Sequence, residues 1–193
     1  MPSSPDKLRH SLLLSRDRAV LVLVDLQERL HPHVVRKDEV AANVVKLVEA
    51  AKILGLPMIV TEHAVKAFGP TIEPVRSALA SCAPVHKIVF SCFGSEEFGA
   101  KLQALGRPQL LVAGLETHIC VCQTALDALA RGYTVHVARD AVSARGEADH
   151  AAGLEKMARA GAVPATSEMA IYELLERAGT EEFRKILPLI KGK

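Results

Sequence analysis

Apolar residues along the chain cluster in short runs, the first of which, "AVLVLVD", is continuous and rich in β-branched side chains. Such runs are typical of strands buried on both faces of a parallel sheet. The last of the runs contains Pro164, and proline lacks the N–H that an interior strand needs, which predicts an edge strand. Six runs are present, at residues 19–25, 57–61, 86–90, 109–114, 133–138 and 162–167.

Longer segments with helical periodicity separate these runs. We expect Gly55, Gly106 and Gly132 to end three of the helices and Ser95 to cap the start of one. Regular alternation of strands and helices predicts an α/β fold, a doubly wound, Rossmann-like three-layer α/β/α sandwich. The predicted helices cover residues 38–54, 94–106, 117–131, 146–160, 167–177 and 180–190.

Length and composition predict one globular domain. The 193 residues, 49% hydrophobic and 24% charged, suit a single domain with a core at about 19–177 and a C-terminal helix at 180–190. The 24 basic and 22 acidic residues are spread along the chain, which argues against a nucleic-acid partner. The apolar runs are too short to cross a bilayer, so we expect no membrane partner.

The first residues, "MPSSPDKLRHSLLLSRDR", lack the apolar stretch and the cleavage site of a signal peptide. We therefore expect a cytoplasmic protein, although the basic, Ser-rich start leaves organelle targeting as an alternative. A cytoplasmic chain keeps its cysteines reduced, so each thiol is considered separately. The four are Cys82, Cys92, Cys120 and Cys122.

Ligands in α/β sheets bind beyond the carboxyl ends of the strands, and two positions stand out there, Asp25 after the first run and the turn at 114–120 after the fourth. Asp25 ends the first apolar run, where partial loss of water would make its carboxylate a better base. Lys87 interrupts the run "PVHKIVF". The alternatives are that Asp25 caps a loop and that Lys87 extends from a strand edge to water.

A histidine and two cysteines lie close together in "THICVCQ". Cys122 falls on the apolar stripe of the helix, which predicts a core residue, whereas Cys120 lies about 200° around the helix from it. That separation argues against a redox pair. Cys120 lies in the first turn, where the helix dipole lowers a thiol pKa, so we expect a nucleophile, with an inert core residue as the alternative.

His118 and Cys122 share a helix face, but two ligands do not make a metal site. We therefore predict no metal site and no cofactor, and we expect His118 to hydrogen bond at a pocket wall or an interface. Phe68 and Phe93 are further candidates for the pocket wall, whereas core packing is expected for Phe90.

Three segments together resemble a known family, the isochorismatase-like cysteine hydrolases. They are "LVLVDLQERL", "VHKIVFSCF" and "GLETHICVCQTALDAL", which carry Asp25, Lys87 and Cys120 in the family's order. The similarity runs from about residue 19 to residue 165 and is strongest to the small stand-alone isochorismatase-domain proteins. It implies a catalytic Asp-Lys-Cys triad in a hydrolase of a small-molecule substrate.

The resemblance also implies a mainly parallel six-stranded sheet in the order 3-2-1-4-5-6. The third strand then lies at an edge, so Lys87 has to reach the site across the neighbouring chain or from a loop. It further implies a cis peptide between Leu115 and Glu116, for which Gly114 leaves room. The N–H groups of Glu116 and Cys120 would then form an oxyanion hole. Family members are usually oligomers, so we expect at least a homodimer, with the two C-terminal helices as a candidate interface.

Two features bear on the reaction that the family likeness implies. "TEHAVKAFGP" offers only Glu62 and His63 where metal-dependent nicotinamidases carry an Asp-x-His pair and another histidine, which argues against a zinc site. The complete Asp, Lys and Cys set favours hydrolysis of a C–N bond through a thioester. Vinyl ether hydrolysis of the isochorismatase type remains an alternative, as does a non-hydrolytic thiol redox or binding protein.

Overall fold

The computed structural model describes residues 9–80 and 82–191. Within this part, six strands form one sheet in the order β3-β2-β1-β4-β5-β6, and every pair of neighbouring strands is parallel. The predicted fold class and strand order are therefore confirmed. The strands are β1 (Ala19–Val24), β2 (Met58–His63), β3 (Val85–Lys87), β4 (Gln109–Leu115), β5 (Thr134–Ser143) and β6 (Val163–Ala165).

Helices cover both faces of the sheet. Within the described residues, no helix is both long and apolar enough to span a membrane. The N-terminal segment considered as a targeting signal begins in residues 1–8, which lie outside the described residues. The helices are α1 (Lys37–Leu54), α2 (Val65–Phe68), α3 (Glu73–Leu79), α4 (Glu96–Leu105), α5 (Cys122–Ala130), α6 (Glu147–Arg159), α7 (Ser167–Leu175) and α8 (Glu181–Lys191).

Side chains of β1 alternate between two hydrophobic cores. Leu21 and Leu23 face a core shared with α1, α3, α7 and α8, whereas Val22 faces a second core built with α4, α5 and α6. All six residues of β1 are buried, as the uninterrupted apolar run predicts for a central parallel strand. This strand is therefore a rigid base for the residue that follows it.

Several segments differ from the sequence-based prediction. Strand β3 ends at Lys87, so residues 88–90, which were predicted to continue it, leave the sheet. Strand β5 extends to Ser143 beyond the predicted end at 138, and the short helices α2 and α3 were not predicted. The helix predicted over 117–131 begins with a π-helical turn over Thr117–Val121, and α5 starts at Cys122.

The strand order reverses between β1 and β4, which pair in register with Val24 opposite Gly114. In open α/β sheets the crevice at such a reversal, beyond the carboxyl ends of the strands, is where ligands bind. Asp25 follows β1 and Glu116 follows β4. Both residues therefore stand at the location that this topology favours for a site.

Candidate active site

The centre of the site is a buried ion pair. The Lys87 Nζ lies 2.5 Å from the Asp25 Oδ2, and neither side chain has any exposed surface. The Thr61 hydroxyl donates to the other carboxylate oxygen, Oδ1, at 2.7 Å. Both oxygens of Asp25 are thus hydrogen-bonded, so Asp25 does not act as a loop cap. Because Lys87 is buried in this pair, it does not extend from the strand edge to water.

Lys87 reaches Asp25 across a neighbouring strand. It is the last residue of β3 and pairs with His63 of β2, whereas Asp25 follows β1 on the far side of β2. Parallel strands are about 4.8 Å apart, so the two side chains together span two strand spacings. The ammonium also donates to the carbonyl oxygens of Val89 and Phe90, both at 3.2 Å. These two carbonyls and the Asp25 carboxylate are the hydrogen-bond acceptors of the Lys87 ammonium.

The backbone at Asp25 turns sharply out of β1. Its φ of 50° lies in the left-handed region that non-glycine residues rarely adopt, although aspartate is among the residues that adopt it most readily. The Asp25 N–H still donates to the Thr61 carbonyl at 3.1 Å, which anchors the turn to β2. This turn places the carboxylate beyond the carboxyl end of β1 without exposing it to solvent.

Cys120 lies against this ion pair and is 7% exposed. Burial raises the pKa of the Cys120 thiol far above its usual range, and the charge and hydrogen bond of Asp25 raise it further. Lys87 acts in the opposite direction but does not compensate. The helix start was expected to lower this pKa, whereas burial and the adjacent Asp25 carboxylate raise it.

The chain bends tightly just before the cysteine. The Leu115–Glu116 peptide is cis, and the preceding Gly114 has a φ of 121°. A Cβ at Gly114 would lie only 2.0 Å from the Val24 carbonyl oxygen, so no other residue fits against β1 here. This close approach brings the end of β4 directly beside Asp25.

A hydrogen-bonded chain supports the turn that carries the cysteine. Arg36 Nη2 lies 2.7 Å from His150 Nε2, and His150 Nδ1 lies 2.9 Å from the Thr117 hydroxyl. Because a guanidinium only donates, Nε2 accepts, and Nδ1 carries the proton that it donates to Thr117. Burial and the charge of Arg36 lower the pKa of His150, which keeps this ring neutral.

Gln27 is hydrogen-bonded to both ends of the loop from His63 to Gly69. Its side-chain amide donates to the carbonyls of His63 at 2.9 Å and Gly69 at 2.6 Å. Its carbonyl oxygen accepts from the His63 N–H at 2.7 Å, and the residue is fully buried. The His63 ring stacks on Phe68 with a centroid separation of 5.7 Å. One glutamine therefore positions the segment that presents Phe68.

Glu62 and His63, weighed above as metal ligands, have other contacts. A single oxygen of Glu62 accepts from both the N–H and the hydroxyl of Thr71, each at 2.7 Å. Burial and the charge of Lys87 lower the pKa of His63. Within residues 9–80 and 82–191, no three His, Cys, Asp or Glu side chains are grouped so that they could hold a metal ion.

A cavity of about 380 Å³ opens beside the cis peptide. Phe68 forms part of its wall, as the sequence predicts. A second cavity, of about 630 Å³, lies at the β3 edge and includes Lys87. The smaller cavity is lined by Arg29, Leu30, His33, Phe68, Glu116 and Arg145.

The other predicted pocket residues lie elsewhere. Phe93 packs edge-on against Phe98 at 5.2 Å and beneath the Arg131 guanidinium at 4.6 Å, so it belongs to the second core and not to the pocket. His118 is half-buried, with its Nε2 3.9 Å from an Asp149 carboxylate oxygen. Phe90, predicted to pack in the core, is 52% exposed because its segment leaves the sheet.

Cys122 is 2% exposed and packs in the second core, as its position on the apolar stripe predicts. Two residues important to the site were not singled out from the sequence, Thr61 and Gln27. The signal for Thr61 was available, because it stands near the carboxyl end of β2, the strand beside β1. Gln27 carries no such signal, since its bonds depend on how the loop from His63 to Gly69 folds back.

Comparison with known proteins identifies the class to which this fold and site belong. Residues 19–169 match the isochorismatase domain family. Isochorismatase domain-containing protein 2 of Danio rerio is 33% identical over 178 residues, covering 92% of this chain and 89% of that protein. The chain therefore belongs to the isochorismatase family.

Solved structures of similar proteins agree with this assignment. The MAR1 ribonuclease of Caenorhabditis elegans superimposes with a TM-score of 0.87 at 32% identity, covering 93% of this chain and 92% of that one. The YcaC protein of Escherichia coli, described as an octameric hydrolase of unknown specificity, has a TM-score of 0.87 at 26% identity, with 94% and 92% covered. These relatives identify the chain as an isochorismatase-like hydrolase.

YcaC of Pseudomonas aeruginosa gives the same fit, with a TM-score of 0.87 at 26% identity over 94% of this chain and 93% of that one. Its structure contains hexane-2,5-diol and covalent acrylamide.

Proposed function

We propose that the protein hydrolyses the C–N bond of a small amide, with Cys120 as nucleophile, Asp25 as proton acceptor and donor, and Lys87 as the cation that holds both in place. The observation that carries this proposal is the burial of all three groups together at the switch point of the sheet. A carboxylate and an ammonium are costly to bury unless paired. Their placement against a thiol supports a chemical role.

The charges of the three groups explain how a thiol with a raised pKa can react. Asp25, Lys87 and the neutral thiol of Cys120 together carry no net charge. Moving the thiol proton to the Asp25 carboxylate leaves a neutral acid, an ammonium and a thiolate, again without net charge. Losing that proton to solvent would instead leave a buried net negative charge, which is unfavourable. Proton transfer inside the cluster is therefore the favoured route to a thiolate.

The reaction then follows in two halves. The Cys120 sulfur bonds to the amide carbonyl carbon as its proton passes to Asp25, and the carbonyl oxygen takes up negative charge. The C–N bond breaks as Asp25 returns the proton to the departing amine, leaving a thioester. Water, losing a proton to Asp25, attacks the thioester, the C–S bond breaks, and the thiol regains its proton.

The N–H groups of Glu116 and Cys120 are proposed to hold the oxygen that becomes negative. The bend between Gly114 and Thr117 supports this role, because it brings the end of β4 beside Asp25. One donor in such an oxyanion hole typically contributes about 10²–10³ in rate. No metal is needed in this scheme.

The test is amine or ammonia release from a panel of small primary and N-substituted amides. We expect Cys120→Ala to lose turnover and Asp25→Asn to lose at least about 100-fold. Cys122→Ala is the matched control, a buried cysteine two residues away that should retain activity. A folded Cys120→Ala protein that still turns over an amide would overturn the proposal.

The same variants distinguish two other reactions. Pyruvate release from isochorismate, without amide turnover, would indicate vinyl ether hydrolysis instead.

Phosphodiester hydrolysis is a second candidate, favoured by the likeness to the C. elegans ribonuclease. The cavity of about 380 Å³ suits a small molecule better than a polymer. Cleavage of a labelled RNA oligonucleotide that depends on Cys120 would favour the ribonuclease activity.

We also propose a cytoplasmic homo-oligomer. The octameric state described for E. coli YcaC supports assembly, at 26% identity over nearly the whole chain. Light scattering after size-exclusion chromatography measures the mass directly. A mass equal to one chain of 20.8 kDa at micromolar concentration would contradict the assembly.

A further inference from the structure

The cavity beside the cis peptide carries an excess of positive charge. Two guanidinium groups, those of Arg29 and Arg145, line it together with a single carboxylate, that of Glu116. Leu30 and Phe68 supply apolar wall. A cavity with this lining favours a ligand that is partly apolar and carries a negative charge.

Each guanidinium has donors to spare. Arg145 uses its Nε to bond a Glu116 carboxylate oxygen at 2.8 Å, and Arg29 uses one Nη1 to bond the Ala67 carbonyl at 2.9 Å. An arginine has five N–H donors, so several on each side chain remain for a ligand. The bond to Glu116 also holds the Arg145 guanidinium beside the cis peptide. A planar fork held in this way suits a carboxylate.

The second cavity has a different character. Its lining includes Ala64, Val65, Ala67, Ile88 and Val89, which are apolar, and Lys66 is its one exposed cation. Glu116 lines the smaller cavity and not this one, whereas Cys120 lines neither. The smaller cavity is therefore the one that borders the proposed oxyanion hole at Glu116.

We propose that the amide substrate carries a carboxylate, which Arg29 and Arg145 bind while the scissile carbonyl lies against Cys120. This inference rests on the proposed function and adds the chemical class of the substrate. Phe68 and Leu30 contact the carbon chain between the carboxylate and the carbonyl. The ligand is thus a short amide of an amino acid or of a dicarboxylic acid.

Three acrylamides of similar length and different charge test the inference. N-acryloyl-β-alanine is anionic, N-propylacrylamide is neutral, and N-(2-aminoethyl)acrylamide is cationic. Intact-mass and peptide-mass measurements give the rate at which each labels Cys120. We expect the anionic reagent to label fastest and the cationic reagent slowest, with the anionic reagent about tenfold or more ahead of the neutral one. This preference should weaken as salt is added.

Substitutions test whether the two arginines cause the preference for the anionic reagent. Arg29→Gln and Arg145→Gln should each reduce it several-fold, and Arg29→Lys should restore part of it, because lysine keeps the charge but loses the fork. Arg159→Gln is the matched control, since Arg159 is 79% exposed on α6 and pairs with Glu155. It should leave the preference unchanged. An unchanged preference in both Arg29→Gln and Arg145→Gln would overturn the assignment.

A binding measurement separates failure of this inference from failure of the proposed function. N-propionyl-β-alanine and N-propylpropanamide are unreactive counterparts of the first two reagents, and calorimetry gives their affinities for Cys120→Ala. Tighter binding of the anion, lost in Arg145→Gln, supports the carboxylate site even if Cys120 proves unreactive. Equal affinities would overturn it even if Cys120 reacts rapidly with all three acrylamides.

Discussion

Lys87 lies on the edge strand, two strands away from Asp25, and its ammonium nevertheless meets the Asp25 carboxylate at 2.5 Å with both side chains fully buried. A charge pair in this position depends on both partners. Removing one leaves the other uncompensated in a region that excludes water, which is far more costly than removing both. The pair is therefore a structural requirement as well as a proposed catalytic one.

A double-mutant cycle measures that dependence. We expect Lys87→Met to reduce the free energy of unfolding by about 3–5 kcal/mol, because Asp25 is left without its cation. Asp25→Asn combined with Lys87→Met should be less destabilised than the sum of the two single changes, by at least about 1 kcal/mol. Urea unfolding provides the values. In contrast, Lys101→Met, which removes a half-exposed helix pair with Glu97, should change stability by less than about 0.5 kcal/mol.

The substitution of glycine by alanine should have opposite effects on stability at two positions. Gly114→Ala should unfold the protein or cost several kcal/mol, on the order of the largest single-residue effects, because the new methyl group meets the Val24 carbonyl. Gly99→Ala should stabilise by about 0.5–1 kcal/mol, since Gly99 lies inside α4 and a methyl group there meets no atom within 4 Å. Thermal unfolding of the two variants compares them, and equal effects would refute the close approach at Gly114.

Gln27→Leu should loosen the loop from His63 to Gly69. The change removes three hydrogen bonds and leaves buried backbone groups without partners, which costs about 1–3 kcal/mol. Hydrogen exchange should become faster in residues 63–69 before it does in β1. Glu28→Gln, at the exposed neighbouring position, should leave the exchange pattern as it is in the wild type. Unchanged exchange in Gln27→Leu would mean that the loop is held by other contacts.

His136 should make the protein less stable in mild acid. It lies on β5, fully buried, and neither ring nitrogen has a hydrogen-bond partner among the described residues. Burial lowers the pKa of His136 from 6.5 to about 4. The unfolded chain therefore binds a proton as pH falls below about 6.5, whereas the folded chain does not until about pH 4, and stability is lost across that interval.

The expected loss between pH 7 and pH 5 is about 2 kcal/mol from this histidine. His150, whose pKa burial also lowers, contributes in the same direction. Urea unfolding at both pH values checks the prediction. His136→Leu should reduce the difference, whereas His10→Gln, at an exposed position, should keep it. A wild-type protein equally stable at pH 7 and pH 5 would contradict the burial of a neutral His136.

Much of the fold follows from local patterns in the sequence. The apolar run before Asp25 predicts a central strand because such a run can only be buried on both faces, and the glycines after α1 and α4 end those helices as expected. The strand order came with the family resemblance, since hydrophobic periodicity does not say which strands are neighbours. The positions of Asp25 and Cys120 then follow from the ends of β1 and β4.

Other features depend on tertiary contacts that no local pattern carries. Residues 88–90 have the composition of a strand, yet they leave the sheet, and the carbonyls of Val89 and Phe90 bind the Lys87 ammonium instead of a neighbouring strand. The raised pKa of Cys120 follows from its burial and from the adjacent Asp25, both of which depend on how the whole cluster packs. Phe93 contacts Phe98 and Arg131 because of how α4 and α5 pack.

The raised pKa of Cys120 also bears on the durability of the protein. Peroxide and other oxidants attack thiolates and react poorly with thiols. As the proposed nucleophile, Cys120 would stay protonated until a carbonyl compound occupies the site and would thereby be shielded from oxidative damage between turnovers. The burial that delays its activation would extend its working life, so the resting protein should tolerate an oxidising environment that inactivates enzymes with a permanent thiolate.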